Sequence, residues 1–444
     1  MMDTQAQTQA PGVPAKAQQG GDIRGRWPWV EECVWTERML EALETGLEGR
    51  RWFRLIDKVM SERTLQRAWE GVQSNGGSAG VDGITVTRFE KDCQNRLSAV
   101  KGQLQAHTYR PNAVKRVWID KPGGGQRPLG VPSVRDRVEQ NALRKVIEPI
   151  FENTFAEHSY GFRPRRGCKQ ALRRVDALLH SGNHWVVDAD LKSYFDTIPH
   201  AKLMEMVKEH IADGRVLDLI AAFLKQGVMD QFKHFEAGEE GTPQGAVISP
   251  LLANIYLNPL DHLMVAKGCE MVRYADDFVI LCRSQKEAEE ALSHIQQWVG
   301  AHGLTLHPEK TRVVDASQRG GFDFLGYHFE RGMKWPRQKS KDKLWDTLRA
   351  GTRRTSGHSM KQIIEHLNPK LRGWYGYFKH SLTNTLSETD QWLRGRLRSL
   401  LRKREGRRGR GRGMDHHRYP NRYFAELGLF NLEGAKKAEL RSSR

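Results

Sequence analysis

The segment Met271-Val-Arg-Tyr-Ala-Asp-Asp-Phe-Val-Ile-Leu-Cys282 is an apolar, strand-forming run interrupted by two adjacent carboxylates, Asp276 and Asp277. Two ionised aspartates side by side repel each other, and strand interiors disfavour Asp, so the pair calls for a cationic partner. A divalent metal answers both objections. The alternative, a solvated hairpin tip, sits poorly with Tyr274 and the apolar residues on either side. A second cluster precedes it in His184-Trp-Val-Val-Asp-Ala-Asp-Leu-Lys-Ser-Tyr-Phe-Asp196. Asp188 and Asp190 end a β-like run and share one face by the period of two, while Asp196 falls beyond a turn of helix. A strand end offering one carboxylate toward a turn offering two is the arrangement of two-metal phosphoryl transfer. There three carboxylates hold two Mg²⁺ ions about 3.5–4 Å apart.

Outward from these clusters, residues 108–330 alternate short β-rich runs with helical ones. Val114–Ile119, Trp185–Asp188, Phe278–Leu281 and Phe322–Leu325 read as strands, which predicts an α+β domain with a small sheet backed by helices. Before it, residues 23–107 are mostly helical, with Met39, Leu40, Leu43, Phe53, Leu55, Ile56, Val59 and Met60 recurring near a 3.6 period. A glycine-rich loop, Asn75–Gly83, breaks that pattern. Residues 1–22 lack any periodic apolar face and read as a flexible tail. From about 340 the strand signals vanish. Leu371, Trp374, Tyr375 and Phe378 form one helix face with Lys370, Arg372 and Lys379 off it, so residues 340–400 read as a helical domain with a basic exterior. Residues 401–444 read as a basic C-terminal region. The run 394–412 is rich in Lys and Arg with only Glu405 opposing. Such a run repels itself and is expected not to pack, serving either as a solubilising linker or as a tether for nucleic acid phosphates.

Composition limits the function classes. The 444 residues carry 71 Lys+Arg against 53 Asp+Glu, a formal net charge of +18, which points to a polyanionic partner. At 38% hydrophobic residues there is apolar material for two or three packed domains, which excludes general disorder. No stretch has the length and apolarity of a membrane span, and the N-terminus lacks the apolar core of an export signal. Cys33, Cys93, Cys168, Cys269 and Cys282 are scattered and never spaced as C-x-x-C, so a disulfide framework and a structural zinc site are both disfavoured and a reducing cytoplasm is expected. Gly123–Gly125 lacks the Lys-Ser/Thr ending of a nucleotide-hydrolysing P-loop.

Tyr274-Ala-Asp-Asp277 resembles the Y-x-D-D box of reverse transcriptases, and Asp190-Leu-Lys-Ser-Tyr-Phe-Asp196 resembles their first aspartate motif as found in bacterial group II intron-encoded proteins. Further blocks follow the family order. Lys121–Pro132 resembles the fingers block, then come Ser159-Tyr-Gly-Phe-Arg-Pro164 and Gly241-Thr-Pro-Gln-Gly-Ala-Val-Ile-Ser-Pro250. Gly303–Thr311 and Phe324-Leu-Gly326 resemble the last palm motifs. Leu367–Tyr377 is similar to the maturase thumb, and Tyr419–Phe430 to a C-terminal motif of bacterial members. The resemblance runs from about residue 35 to 435.

It implies a right-hand polymerase with fingers, palm and thumb. It also implies Asp190, Asp276 and Asp277 as the catalytic, Mg²⁺-binding carboxylates, with Asp188 and Asp196 in second place. Lys121 and Arg127 would meet the triphosphate of an incoming deoxynucleotide. Gln244 would meet its sugar, with Gly245 and Pro250 serving backbone geometry. Phe195 is either a sugar gate that excludes a 2′-hydroxyl or a core aromatic, and Lys310 either a nucleotide contact or an exposed lysine. Arg372, Lys379, Arg402, Lys403 and Arg404 are candidates for RNA. The partners implied are group II intron RNA, an RNA template and a DNA primer or target. A zinc endonuclease of the kind found in some members is not expected, since no Cys pairs follow Cys282. Two rival readings are a splicing cofactor that kept only the fold, and a domesticated reverse transcriptase of the defence, retron or diversity-generating kind.

Overall fold

A computed structural model describes residues 22–46, 51–120, 124–230, 233–235 and 238–442. The expected tail 1–22, except Asp22, and the fingers residue Lys121 lie outside the described residues. The strands are β1 (Val114–Asp120), β2 (Gln126–Val131), β3 (Trp185–Asp190), β4 (Val228–Asp230), β5 (Lys233–Phe235), β6 (Glu270–Tyr274), β7 (Asp277–Cys282), β8 (Arg312–Asp315), β9 (Phe322–Phe324), β10 (Tyr327–Glu330) and β11 (Met333–Pro336). They form sheets of order β2-β1-β4-β5, β6-β7-β3-β8 and β11-β10-β9. Each run read as a strand from the sequence is one, so the α+β expectation holds, and among the described residues no strand follows Pro336.

The chain divides into two compact units. One comprises the described residues within 1–171, 189–278 and 290–311, the other those within 172–188, 279–289 and 312–444. In the first, helices Glu37–Thr45, Glu62–Asn75 and Cys93–Gln105 precede the β1–β2 hairpin, whose register runs from Lys115↔Val131 to Asp120↔Gln126. The residues around Phe53 are not helical as their spacing suggests. Asp213 accepts hydrogen bonds from the backbone N–H of Leu55 (2.6 Å) and Ile56 (2.9 Å), and the helix starts only at Ile56.

Two long helices form the core of this unit. Val134–Glu152 begins at Ser133, whose hydroxyl accepts from the Asp136 N–H, and buries Val138, Ala142, Leu143, Val146 and Ile147. Ser249–Ala266 carries Pro250 in its first turn, where the missing N–H costs nothing, and buries Leu251, Tyr256, Leu257, Leu260 and Met264.

In the second unit, helix Met360–Phe378 opens with a capping box made by Ser359 and Gln362. Its residues Ile364, Leu367 and Leu371 pack with Leu344 and Leu348 of helix Gln338–Gly351 and with Leu386, Leu393, Leu397 and Leu400 of helix Thr383–Arg404. Phe424 and Leu432 complete the same core, so the C-terminal segment is built into the helical domain.

The basic run 394–412 therefore packs, against expectation. Leu393, Leu397, Leu400 and Leu401 form an apolar stripe that charge composition conceals, and the helix carries it inward through Arg404. The opposing anion comes from beyond the run. Asp415, only 1% exposed, accepts from Arg402 (2.8 Å) and lies 3.1 Å from Arg407. Arg398 donates to the Tyr419 carbonyl and to Asn421, and Arg396 to Thr352. Among the described residues no helix is long and apolar enough to cross a membrane.

Candidate active site

β3 ends at Asp190, and its backbone carbonyl accepts from the His307 N–H (2.8 Å), while Lys192 N–H donates to Thr305 (2.9 Å). This pairing lays the Gly303–Thr311 motif along the strand end and delivers Lys310, whose Nζ lies 2.7 Å from Asp190 Oδ2. β6 and β7 are joined by a two-residue turn, Ala275-Asp276, in which Ala275 takes a left-handed φ of 61°. Burial pushes the Asp276 carboxyl above the usual carboxylate range, and the negative charge of Asp190 adds to the rise, opposed by Lys310 and Arg273. The two carboxylates thus stand in each other's field, and Asp277 follows as the first residue of β7.

Three further blocks meet near this point. Thr242 N–H donates to the Phe195 carbonyl (2.7 Å) and Gly241 N–H to Ile198 (2.8 Å), which holds the Gly241–Pro250 block against the residues after β3. Gln244 Nε2 lies 3.5 Å from Asp196 Oδ2, and Phe195 is half-buried with its ring edge-on to Tyr194 at 5.6 Å. β2 joins the group through Gly130, whose N–H donates to the Gln244 carbonyl (2.6 Å). Gly245 has φ 106°, and a Cβ there would lie 2.4 Å from the Gly130 carbonyl oxygen, so this crossing admits only glycine. Arg127, opposite Ile119 in the hairpin, is exposed on the same strand. Gln140, buried in helix Val134–Glu152, accepts from the Val247 N–H (2.7 Å) and secures the block from behind.

Asp188 pairs with Arg312 across the β3–β8 ladder at 3.2 Å. Asp196 is the neighbour of Gln244 described above. Of the expected RNA contacts, Arg372 is exposed above the Phe430 ring (4.8 Å) and Lys403 is exposed. Lys379 pairs with Glu439 (3.1 Å), Arg402 with Asp415, and Arg404 donates to the Ser356 and His358 carbonyls. The last two thus carry contacts within the helical domain, and Arg404 is also exposed.

Sequence reasoning missed what holds the Asp276 turn. Arg273, 1% exposed, donates from Nε to Asp261 (2.7 Å) and also from Nη2 to the same carboxylate. Its Nη1 donates to Asn254 Oδ1 (3.0 Å) and to the Ala275 carbonyl (2.9 Å) inside the turn. Asn254 in turn donates to the Gly161 carbonyl (2.8 Å). The Ser159–Pro164 block straps the outer edge of β6: Tyr160 N–H donates to Arg273 (2.8 Å), and Arg273 N–H to His158 (3.0 Å). A Cβ on Gly161 would lie 2.2 Å from the Ala275 nitrogen. Beside the turn, a hydrogen bond with Cys168 and burial push the Tyr274 phenol up to about 12. The one available signal was an arginine inside an apolar strand run, which demands a buried partner.

A cation site must be tested against these donors. Asp190 and Asp276 supply hard oxygens, and burial together with the Asp190 charge disfavours the ionised Asp276, a cost a dication would offset, so the residues fit a divalent metal. Among the described residues no three His, Cys, Asp or Glu side chains form a ready-made cation cage.

Residues 119–329 match the reverse transcriptase (RNA-dependent DNA polymerase) family, and residues 341–419 match the group II intron maturase-specific domain. Protein YkfC of Escherichia coli K12 is 34% identical over 330 residues, covering 65% of this chain and 85% of YkfC. The group II intron-encoded protein LtrA of Lactococcus lactis subsp. cremoris is 36% identical over 199 residues, 45% of this chain and 33% of LtrA. The putative COX1/OXI3 intron 2 protein of Saccharomyces cerevisiae is 34% identical over 215 residues, 48% of this chain and 25% of that protein. The alignments span most of YkfC and a third or less of the two intron proteins.

Proposed function

Because the chain belongs to the group II intron reverse transcriptase and maturase family, we propose that it extends a DNA primer along an RNA template at the Asp190–Asp276 edge and binds intron RNA through its helical domain. The observation that carries this reading is the placement of the two carboxyl groups, one at a strand end and one in a buried turn within its field, with Lys310 on the first. A structural role gives no reason to hold such charges together.

Two Mg²⁺ ions bound by Asp190, Asp276 and Asp277 would supply the chemistry, lowering the pKa of the primer 3′-hydroxyl and neutralising the departing pyrophosphate. The chain's own residues orient the reactants. Asp190 and Asp276 would hold the cations toward which the primer terminus and the α-phosphate are drawn. Lys310 and the exposed Arg127 offer cations to the triphosphate, with Lys121 as a third on the sequence pattern. Gln244 would meet the sugar, and the ring of Phe195, whose backbone carbonyl accepts from the Thr242 N–H, would close the space a 2′-hydroxyl needs. Arg372 and Lys403 bind RNA phosphate as exposed cations of the helical domain.

The test is deoxynucleotide incorporation on an RNA template with an annealed DNA primer in Mg²⁺, for wild type and Asp276→Ala, with intron RNA affinity measured on both. Synthesis by the wild type alone, at equal affinity, is the expected result. Tight RNA binding by both without synthesis by either would leave a splicing cofactor in its place.

A further inference from the structure

The Arg273 cluster lies behind the carboxylates rather than among them, and we infer that Arg273, Asn254, Asp261 and Gly161 form a positioning device that sets where the Asp276 carboxylate stands. The inference rests on the polymerase reading and adds residues to it.

Three features of the geometry carry it. First, the guanidinium is used as a template. Its fork takes Asp261 through two nitrogens, and the remaining nitrogen reaches both Asn254 and the Ala275 carbonyl. Only a planar group with several fixed donors can tie a helix to a turn in this way, and a lysine ammonium cannot reproduce the fork. Second, the bond to the turn falls on the residue before Asp276. Ala275 is a non-glycine residue in the left-handed region, a conformation that persists only where its surroundings impose it. The Arg273 hydrogen bond to its carbonyl supplies one such constraint.

Third, the opposite side of the turn is closed by backbone. Gly161 lies so near the Ala275 nitrogen that no Cβ fits, and its carbonyl is held by the same Asn254 that faces Arg273. Asn254 and Asp261 are two turns apart on one face of helix Ser249–Ala266, so one rigid element anchors both ends of the clamp. The strap is secured in its turn by Arg163, which pairs with Glu152 (2.8 Å) and donates to the Ala156 (2.6 Å) and Ser159 (2.8 Å) carbonyls. A turn gripped from the helix by a guanidinium and from the strap by a bare Cα has little freedom to shift. Displacement of a reacting group by about 1 Å can cost about 100-fold in rate.

The test uses full-length Arg273→Lys and Gly161→Ala, with three readouts on each: kcat and KM for nucleotide, intron RNA affinity, and amide hydrogen exchange. The expected result is a kcat about 100-fold lower at near-constant KM and RNA affinity. Faster exchange should be confined to Tyr274–Asp277 and the Ser159–Pro164 strap. Wild-type kcat with wild-type exchange in the turn would overturn the inference. So would exchange that rises equally across helix Ser249–Ala266, which would make Arg273 a general folding residue. If Arg273→Lys does not fold, Asn254→Ala removes only the middle link and is read the same way. Failure of the wild type to make DNA would sink the polymerase reading separately, and the exchange pattern would still decide the positioning role.

Discussion

At the acidic edge, Asp190 and Asp276 stand in each other's field with one lysine on Asp190, whereas in the helical domain Arg402 and Arg407 both close on a single buried Asp415. The first region keeps like charges together and holds the Asp276 turn from behind through hydrogen-bonded polar groups such as Arg273. The second spends much of its positive charge on its own fold and leaves Arg372 and Lys403 exposed. Count of charge and availability of charge are thus different quantities. An excess of +18 points to a polyanionic partner, but an arginine whose donors already serve a buried carboxylate has fewer of them left to offer.

The sharpest way to probe the acidic edge is its selectivity. Phe195→Val should raise incorporation of ribonucleotides relative to deoxynucleotides by about 10- to 100-fold, as removal of a steric contact of 1–3 kcal/mol would. Competition between the two nucleotide types in primer extension measures it. Unchanged discrimination would make Phe195 a core aromatic.

A stability measurement addresses the helical domain next. Arg402→Ala should destabilise it by about 1–3 kcal/mol, because Asp415 loses a charge-assisted bond while buried, with little change in the salt dependence of RNA binding. Denaturant melting beside a salt titration separates the two effects. An unchanged midpoint with weaker RNA binding would return Arg402 to the RNA-contacting set.

The scaffold behind the acidic edge holds a pH-sensitive member. Glu139 is fully buried in helix Val134–Glu152, neither carboxylate oxygen meets a donor among the described residues, and burial pushes its carboxyl up to about 8. Its unfolded value is about 4.3, so the folded state holds a proton between those limits that the unfolded state has lost. The resulting stability is complete below about pH 4 and is lost as pH rises through about 8, at up to about 1.4 kcal/mol per pH unit. Glu139→Gln should flatten that decline, as read from melting midpoints between pH 5 and 8. A slope equal to wild type would show that Glu139 is charged in the fold.

The smallest effect belongs to the exposed cations. Arg372→Ala and Lys403→Ala should each lower the slope of log affinity against log salt by about 0.7–0.9. A slope that does not move would place both residues away from phosphate.

What the sequence made legible follows from how local each signal is. Asp190, Asp276 and the apolar runs of the sheets are read from short spacings, and the structure puts them at the strand end, in the turn and in the strands those spacings predict. The same is true of Leu371, Tyr375 and Phe378, which are all buried on one helix face. The Arg273 cluster was not legible, because Asn254 and Asp261 sit on a separate helix and the reason for glycine at 161 is a backbone nitrogen more than a hundred residues away. The run 394–412 was misread for the same reason: Asp415 and Asn421 lie outside it, and the four leucines that decide its packing are outnumbered by charges. Local pattern gives elements and motifs, whereas the partners of buried charges are set by tertiary contact.

The most direct test of the division between the two regions is a crossed measurement of primer extension and intron RNA affinity on Asp190→Ala and on the double variant Arg372→Ala/Lys403→Ala. Asp190→Ala should lose synthesis and keep wild-type affinity, while the double variant should lose affinity and keep its kcat at saturating RNA. Loss of both activities together in either protein would contradict the account.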